Sequence, residues 1–324
     1  LYDGTTVTNI SDNEYINGDP QINDDGHVVW RADDGTNLMI CLYDGASTTT
    51  IATFASFGVW LTYPQINNNG YVVWHQYDGS PNDFEIYLYD GMTTTNISDK
   101  ARRDWYPQLN DNNHVVWQGK PLGSGNWDIF LYTGTSTENI TGDHDEYHHS
   151  KPHINSNGYV VWNAYDGSDE PPVPASEIKI YLYDGTAITD LATYGYDASL
   201  LIPPPLINNN NYVVWTGDDG FDWEIYLYDG TTVTNISNNG VVDEFPDINN
   251  NNHVVWESED GHIYLYEGAT PTIVSTSSWP NESAHINNNG YVVWDGSDSD
   301  DREIFLARPA TDAILDFFDT SVEE

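Results

Sequence analysis

The sequence predicts an all-β chain made of seven copies of one four-stranded antiparallel unit, on three observations. The string VVW ends at Trp30, Trp74, Trp117, Trp162, Trp215, Trp256 and Trp294, at spacings of 44, 43, 45, 53, 41 and 38 residues. Turn dipeptides recur at fixed offsets from each copy, and no amphipathic helical periodicity interrupts the repeats. Short antiparallel sheets that are apolar on both faces, with no helices to cover them, must cover one another. That is the arrangement of a seven-bladed β-propeller.

Within each copy the elements follow in order. The first strand and its turn are a version of PQINNNGYVVW, beginning at Pro20, Pro64, Pro107, Pro152, Pro205, Pro246 and, without the proline, Ala284. Asp25-Gly26, Asn69-Gly70, Asn112-Asn113, Asn157-Gly158, Asn210-Asn211, Asn251-Asn252 and Asn289-Gly290 tolerate the positive φ of a tight hairpin turn. YVVW and EIYLYDG supply the second and third strands, rich in β-branched and aromatic residues. Asp-Gly at Asp3, Asp44, Asp90, Asp184 and Asp229, varied as Thr133-Gly134 and Glu267-Gly268, turns the chain into a threonine-rich fourth strand ending in NIS, as at Asn96–Ser98. The Asn-Ile-Ser/Thr strings fit a glycosylation sequon, but their place in the repeat explains them.

A strand count predicts how the ring closes. Thr5–Ser11 is a fourth strand with no first strand before it, and the last copy stops after REIFLAR with no fourth strand. The expectation is that residues 5–11 complete the seventh blade, so that no edge stays open. The propeller then spans 1–308. In 309–324, Ile314, Leu315, Phe318 and Val322 recur at helical spacing, which predicts a short helix, and its acidic end suggests a chain that continues beyond it.

Of 324 residues 39% are apolar, enough for a sizeable core, and the formal charge is −42. Such a field repels nucleic acid and attracts cations. Cys41 is the one cysteine, so no internal disulfide forms, and no apolar run is long enough to insert in a membrane.

The strings PQINNNGYVVW, EIYLYDG and NIS resemble the TolB-like or WD40-like bacterial propeller repeats over residues 1–307, with Asn-rich strings where that family has Ser-Pro-Asp-Gly. The resemblance implies a propeller fold. It also offers an analogue, since some seven-bladed propellers with similar repeats are polysaccharide lyases with a histidine-bound metal.

Candidate sites lie in the segments that vary between copies. Acidic loops between second and third strands suit calcium, and Asp219, Asp222 and Glu224 form the best set. Met39 and Lys179 at the position of Glu224 exclude a metal in every blade. His144, His148 and His149, with His153 close by, are a candidate transition-metal or base site. The residue after the blade proline, including His153, Asp247 and His285, is expected at the channel mouth. Trp60, Tyr63, Trp105, Tyr106, Trp223 and Trp279 are candidate stacking platforms for sugar rings or a protein partner. The evenness of the repeats favours a non-catalytic extracellular or cell-surface module binding a glycan or surface protein. The alternative is a polysaccharide lyase or hydrolase working through the histidines.

Overall fold

A computed structural model describes residues 1, 6–55, 63–77, 84–98, 102–121, 125–142, 147–166, 177–195, 203–275, 281–297 and 302–308. Every element among them is a β-strand, and the chain divides into two compact units, Leu1–Asn211 and Tyr212–Glu324. The helix expected over 309–324 lies outside the described residues.

In the first unit, β1 (Ile16–Ile22), β2 (Val28–Asp33), β3 (Asn37–Tyr43) and β4 (Thr48–Ala55) form one sheet in sequence order. Next come β5 (Gln65–Ile66), β6 (Val72–Tyr77), β7 (Phe84–Tyr89) and β8 (Thr94–Asn96), then β9 (Arg102–Leu109), β10 (Val115–Pro121), β11 (Asp128–Tyr132) and β12 (Thr137–Asn139). A single parallel pair, Phe84 with Arg103, joins these two antiparallel groups. β13 (Tyr147–Ile154), β14 (Val160–Asp166), β15 (Ile178–Tyr183) and β16 (Ile188–Tyr194) make another four-stranded sheet, and β17 (Leu206–Ile207) ends the unit. The second unit has β18 (Val213–Asp218), β19 (Trp223–Tyr228) and β20 (Val233–Asn235), then a four-stranded sheet of β21 (Asp243–Ile248), β22 (Val254–Ser258), β23 (Ile263–Tyr266) and β24 (Thr272–Ile273). It finishes with a three-stranded sheet of β25 (Asn281–Ile286), β26 (Val292–Ser297) and β27 (Arg302–Ala307).

The VVW strands are buried on both faces because alternate side chains enter two different packing layers. Val29 packs with Ile40, Val72 and Trp74, whereas Val28 and Trp30 pack with Ala32, Met39 and Cys41. In the same way Trp117 joins Val73, Ile86 and Phe130, and Trp162 joins Val116, Ile129 and Ile154. Trp74, Trp117 and Trp162 therefore seal their strands against the preceding four-strand group. The cross-strand neighbour of the repeat tryptophan is aromatic and stacked in most copies, as in Trp74 on Tyr87 and Trp256 on Tyr264. Cys41 takes that position opposite Trp30.

A polar seam runs beside the apolar one. The first asparagine of the hairpin turn, buried at Asn23, Asn67, Asn110 and Asn249, serves two backbones, whereas Asn287 of the last turn is exposed. Asn110 Oδ1 accepts the amides of Asn112 and His114 in its own turn, while Nδ2 donates to the carbonyl of Asn155 in the next sheet. Asn23 and Asn67 do the same toward Asn67 and Asn110, and in the second unit Asn249 does so toward Asn287. The turns hold the predicted positive φ at Gly26, Gly70, Asn113, Gly158, Asn211, Asn252 and Gly290.

The amino-terminal segment departs from the expected strand. Thr8 exchanges two backbone hydrogen bonds with Leu1, Val7 is 83% exposed, and only Val7 has bridge geometry. The chain folds back on its own first residue, so residues 6–11 do not extend as a full strand. The carboxyl end of the segment nevertheless docks as the repeat prescribes. Ile10 packs on Val28 and Trp30, and its carbonyl accepts the Thr48 hydroxyl at 2.7 Å, as the Ile97 carbonyl accepts that of Thr137 at 3.1 Å.

Replacing Asn110 with alanine strips the acceptor from two turn amides and the donor from Asn155 at a buried position. Chemical denaturation should show a loss of about 2–4 kcal/mol for Asn110→Ala, against less than about 1.5 kcal/mol for the exposed Asn112→Ala.

Candidate functional site

The recurring register places one more set of polar residues between sheets. At the start of the third strand, Glu85 and Glu224 are buried, and each accepts a short hydrogen bond from the serine two residues beyond the following strand, Ser98 and Ser237. Those serines in turn accept the amides of Ile86 and Ile225. Asp128 with Thr141 and His262 with Ser275 are variants of the same relay. From the next sheet comes the residue 13 positions before the tryptophan. Asp104 accepts the indole N–H of Trp117 at 3.0 Å, His149 that of Trp162 at 2.8 Å, and Asn281 that of Trp294 at 3.0 Å. Asn17 accepts that of Trp30. Sequence reading missed these partners, although the constant offset of 13 from VVW was the available signal.

This register explains the histidines. His148 and His149 are buried neighbours on β13, so they face opposite sides of their sheet. His148 Nδ1 accepts the amide of Trp127 and packs on Tyr165, while His149 is committed to Trp162. The rings of these two histidines therefore do not converge on one face of the strand. His144 lies outside the described residues. His153 sits beyond a bulge in the same strand, where Nδ1 accepts the amide of Ile207 at 3.4 Å.

The calcium candidates do converge. Asp219, Asp222 and Glu224 offer ligand atoms that all lie within 4.8 Å of one another, the one such group among the described residues. Asp219 Oδ1 shapes the loop by accepting the amides of Phe221 and Asp222, and Gly220 takes φ +95° at its tip. Glu224 is anchored by Ser237 and by the amide of Asn239, whose side chain donates to Asp243 Oδ2 at 2.6 Å. Burial pushes the Glu224 carboxyl up from its usual range, its hydrogen bonds oppose this, and the charges of Asp243 and Asp222 add to the rise. Asp222 Oδ1 is buried without a hydrogen-bond partner, and burial pushes the Asp243 carboxyl up against the opposing pull of Ser258, Asn239, Ser237 and Trp256.

The aromatic candidates divide. Tyr63 is 38% exposed and stacks on the half-buried Tyr106 at 6.5 Å and 18°. Trp105 is half-buried between Phe84 and Trp127. Trp223 is corrected as a platform, because it is only 9% exposed and belongs to the core at the base of the acidic loop. Trp60 and Trp279 lie outside the described residues. Phe221, 96% exposed at the tip of that loop, and Phe245, held at φ +52° in the bulge of β21, are exposed rings that sequence reading passed over. Next to Phe245, Asp247 accepts from the exposed His285 at 3.2 Å and so raises the histidine pKa.

No protein-family profile matches the chain, and no curated protein does. Solved structures do. The chain resembles the β-propeller domain of the trilobed protease from Pyrococcus furiosus at TM-score 0.58 and 12% identity, covering 90% of this chain and 95% of that one. It resembles dipeptidyl peptidase 4 of Porphyromonas gingivalis at TM-score 0.61 and 13% identity, over 92% of this chain and about half of that one, 52%. The Dos1 propeller matches at TM-score 0.56 and 9% identity, over 86% and 75% of the two chains. The fold is that of the β-propellers, and no helix among the described residues is long and apolar enough to cross a membrane.

The carboxylates set a pH profile. Burial raises Asp104 and Glu257 to about 7, so the folded chain takes up protons as pH falls through 7 that the unfolded chain, titrating near 4, does not. Stability therefore rises from pH 8 to about 5. The turn aspartates Asp44, Asp90, Asp184 and Asp229 are held low by backbone and threonine hydrogen bonds, so their contribution is lost as pH falls below 4. Thermal melts across pH 3–9 should show a maximum near 5, and Asp104→Asn, which keeps an acceptor for Trp117, should flatten the limb between 6 and 8.

Proposed function

We propose that this chain is a non-catalytic propeller module, exported to the cell surface or beyond, whose loops bind a glycan or a surface protein. One observation carries the reading: the buried polar groups that would serve as acid, base or ligand in an enzyme sit at equivalent places in successive repeats and bond to equivalent partners. His149 does for Trp162 what Asp104 does for Trp117 and Asn281 for Trp294. Side chains so committed are packing groups. The exposed rings, by contrast, lie away from those junctions: Tyr63 and Phe245 are 38% and 45% exposed at the same place in the repeat, just before the blade proline, and Phe221 is 96% exposed at a loop tip. That a propeller forms one domain of the trilobed protease supports a module as the unit of function.

In this reading seven blades close as a ring, with residues 5–11 completing the last. Ile10 and Thr48 reproduce the contact of Ile97 and Thr137, and the outer strand β27 leaves Ile304 and Leu306 exposed, as a strand awaiting a neighbour does. Deleting residues 1–12 should then lower the melting midpoint by several degrees more than deleting 309–324; an equal loss from the two truncations rejects the closure.

Binding of the whole chain to arrayed neutral and acidic glycans and to cell-surface proteins tests the module. A ligand whose affinity drops about tenfold in Phe221→Ala or Phe245→Ala is the expected result. Turnover of a polysaccharide that is abolished by His153→Ala or His148→Gln would overturn it.

A further inference from the structure

The two units contain the same acid pair in different electrostatic settings. In the first, Glu85 and Asp104 face each other across Ser98, and Arg102, two residues before Asp104, brings its guanidinium to 3.5 Å from Asp104 and over the Phe130 ring. Asp104 then completes its hydrogen bond to Trp117 at 3.0 Å. In the second, Glu224 and Asp243 face each other across Ser237 and Asn239, and the residue two before Asp243 is Val241. Two further carboxylates, Asp219 and Asp222, crowd Glu224. No cation answers them: the unit's only basic residues of the lysine and arginine type are Arg302, paired with Glu282 and Asp295, and Arg308. Here Asp243 still interacts with Trp256, Ser258 and Ser237, but Asp222 Oδ1 is buried without a hydrogen-bond partner. Asp243 and Glu224 are fully buried, and a buried carboxylate is costly unless it is protonated or a positive charge compensates it.

We propose that a divalent cation of the calcium type fills, in the second unit, the place that Arg102 fills in the first, held by Asp219, Asp222 and Glu224 with Asp243 behind them. All-oxygen donors on a short glycine-containing hairpin suit calcium, which accepts flexible geometry and six to eight ligands. Asp219 and Asp222 come from the loop between β18 and β19, Glu224 from β19, and Asp243 from β21 of the following sheet. The ion thus pins the hairpin of β18 and β19 and fixes the loop that carries Phe221. The inference stands whether or not that loop binds a glycan.

The test uses the full chain, stripped with chelator and then titrated with calcium. At constant ionic strength, calcium should raise the melting midpoint by several degrees with half-effect at roughly 10⁻⁴–10⁻³ M, as in extracellular modules. Terbium should bind in its place and luminesce through the adjacent Trp223. Asp222→Asn and Asp219→Asn should each weaken both responses at least about tenfold. Val241→Arg supplies the missing charge directly, so it should raise the midpoint of the metal-free chain and abolish the calcium shift. Equal calcium shifts in all four proteins, or a shift that sodium or magnesium reproduces at matched ionic strength, would show only diffuse screening of the −42 charge and overturn the site.

Discussion

A buried asparagine in the hairpin turns, as at Asn23, Asn67, Asn110 and Asn249, is the contact on which the rest of the structure rests. Its carboxamide has one acceptor and two donors, and the fold uses both ends: the oxygen closes the turn that its own backbone makes, and the nitrogen reaches the carbonyl of the corresponding asparagine one repeat on. The position of each turn is thereby tied to the next. A sheet displaced along its neighbour would strand both ends of the amide in a buried site, at a cost that apolar packing alone does not impose. Valine and tryptophan provide most of the cohesion, but cohesion is tolerant of sliding. The asparagines make it specific.

The second polar layer, at the other end of the same strands, is less uniform and more consequential. A hydroxyl there relays a backbone amide to an acid, and a residue from the next sheet caps a tryptophan. Because the relay tolerates glutamate, aspartate or histidine, and the cap tolerates asparagine, aspartate or histidine, charge at each junction varies while geometry persists. Where two acids meet, the junction needs compensation. Arg102 supplies it between β7 and β9. In a chain with 51 acidic and 9 basic residues, few junctions can be served that way.

Function follows from what these layers leave over. His148 and His149 bond inside the junctions, whereas Phe221 stands at a loop tip and Tyr63 and Phe245 before the blade proline, with their rings exposed. A binding surface can vary freely there without disturbing either polar layer. The acidic hairpin of Asp219 and Asp222 links the two, since it is both part of a junction and the base of an exposed ring.

The strands, their order and the turns were legible in the sequence because each depends on residues close in the chain: β-branched runs, positive-φ turn residues and a period that repeats the same local choice. The convergence of Asp219, Asp222 and Glu224 was legible for that reason too, all three lying on one hairpin. The partners of Trp30, Trp117, Trp162 and Trp294 were not read, nor was the burial of Trp223 or the separation of His148 from His149. Proximity in sequence made the histidines look like one cluster, yet strand alternation sends them to opposite faces. What the chain alone determined was the unit and its repetition. What only the tertiary structure decided was which polar groups of one sheet meet those of the next, because such contacts join residues about one repeat apart and their energy depends on burial that exists only once the sheets are packed.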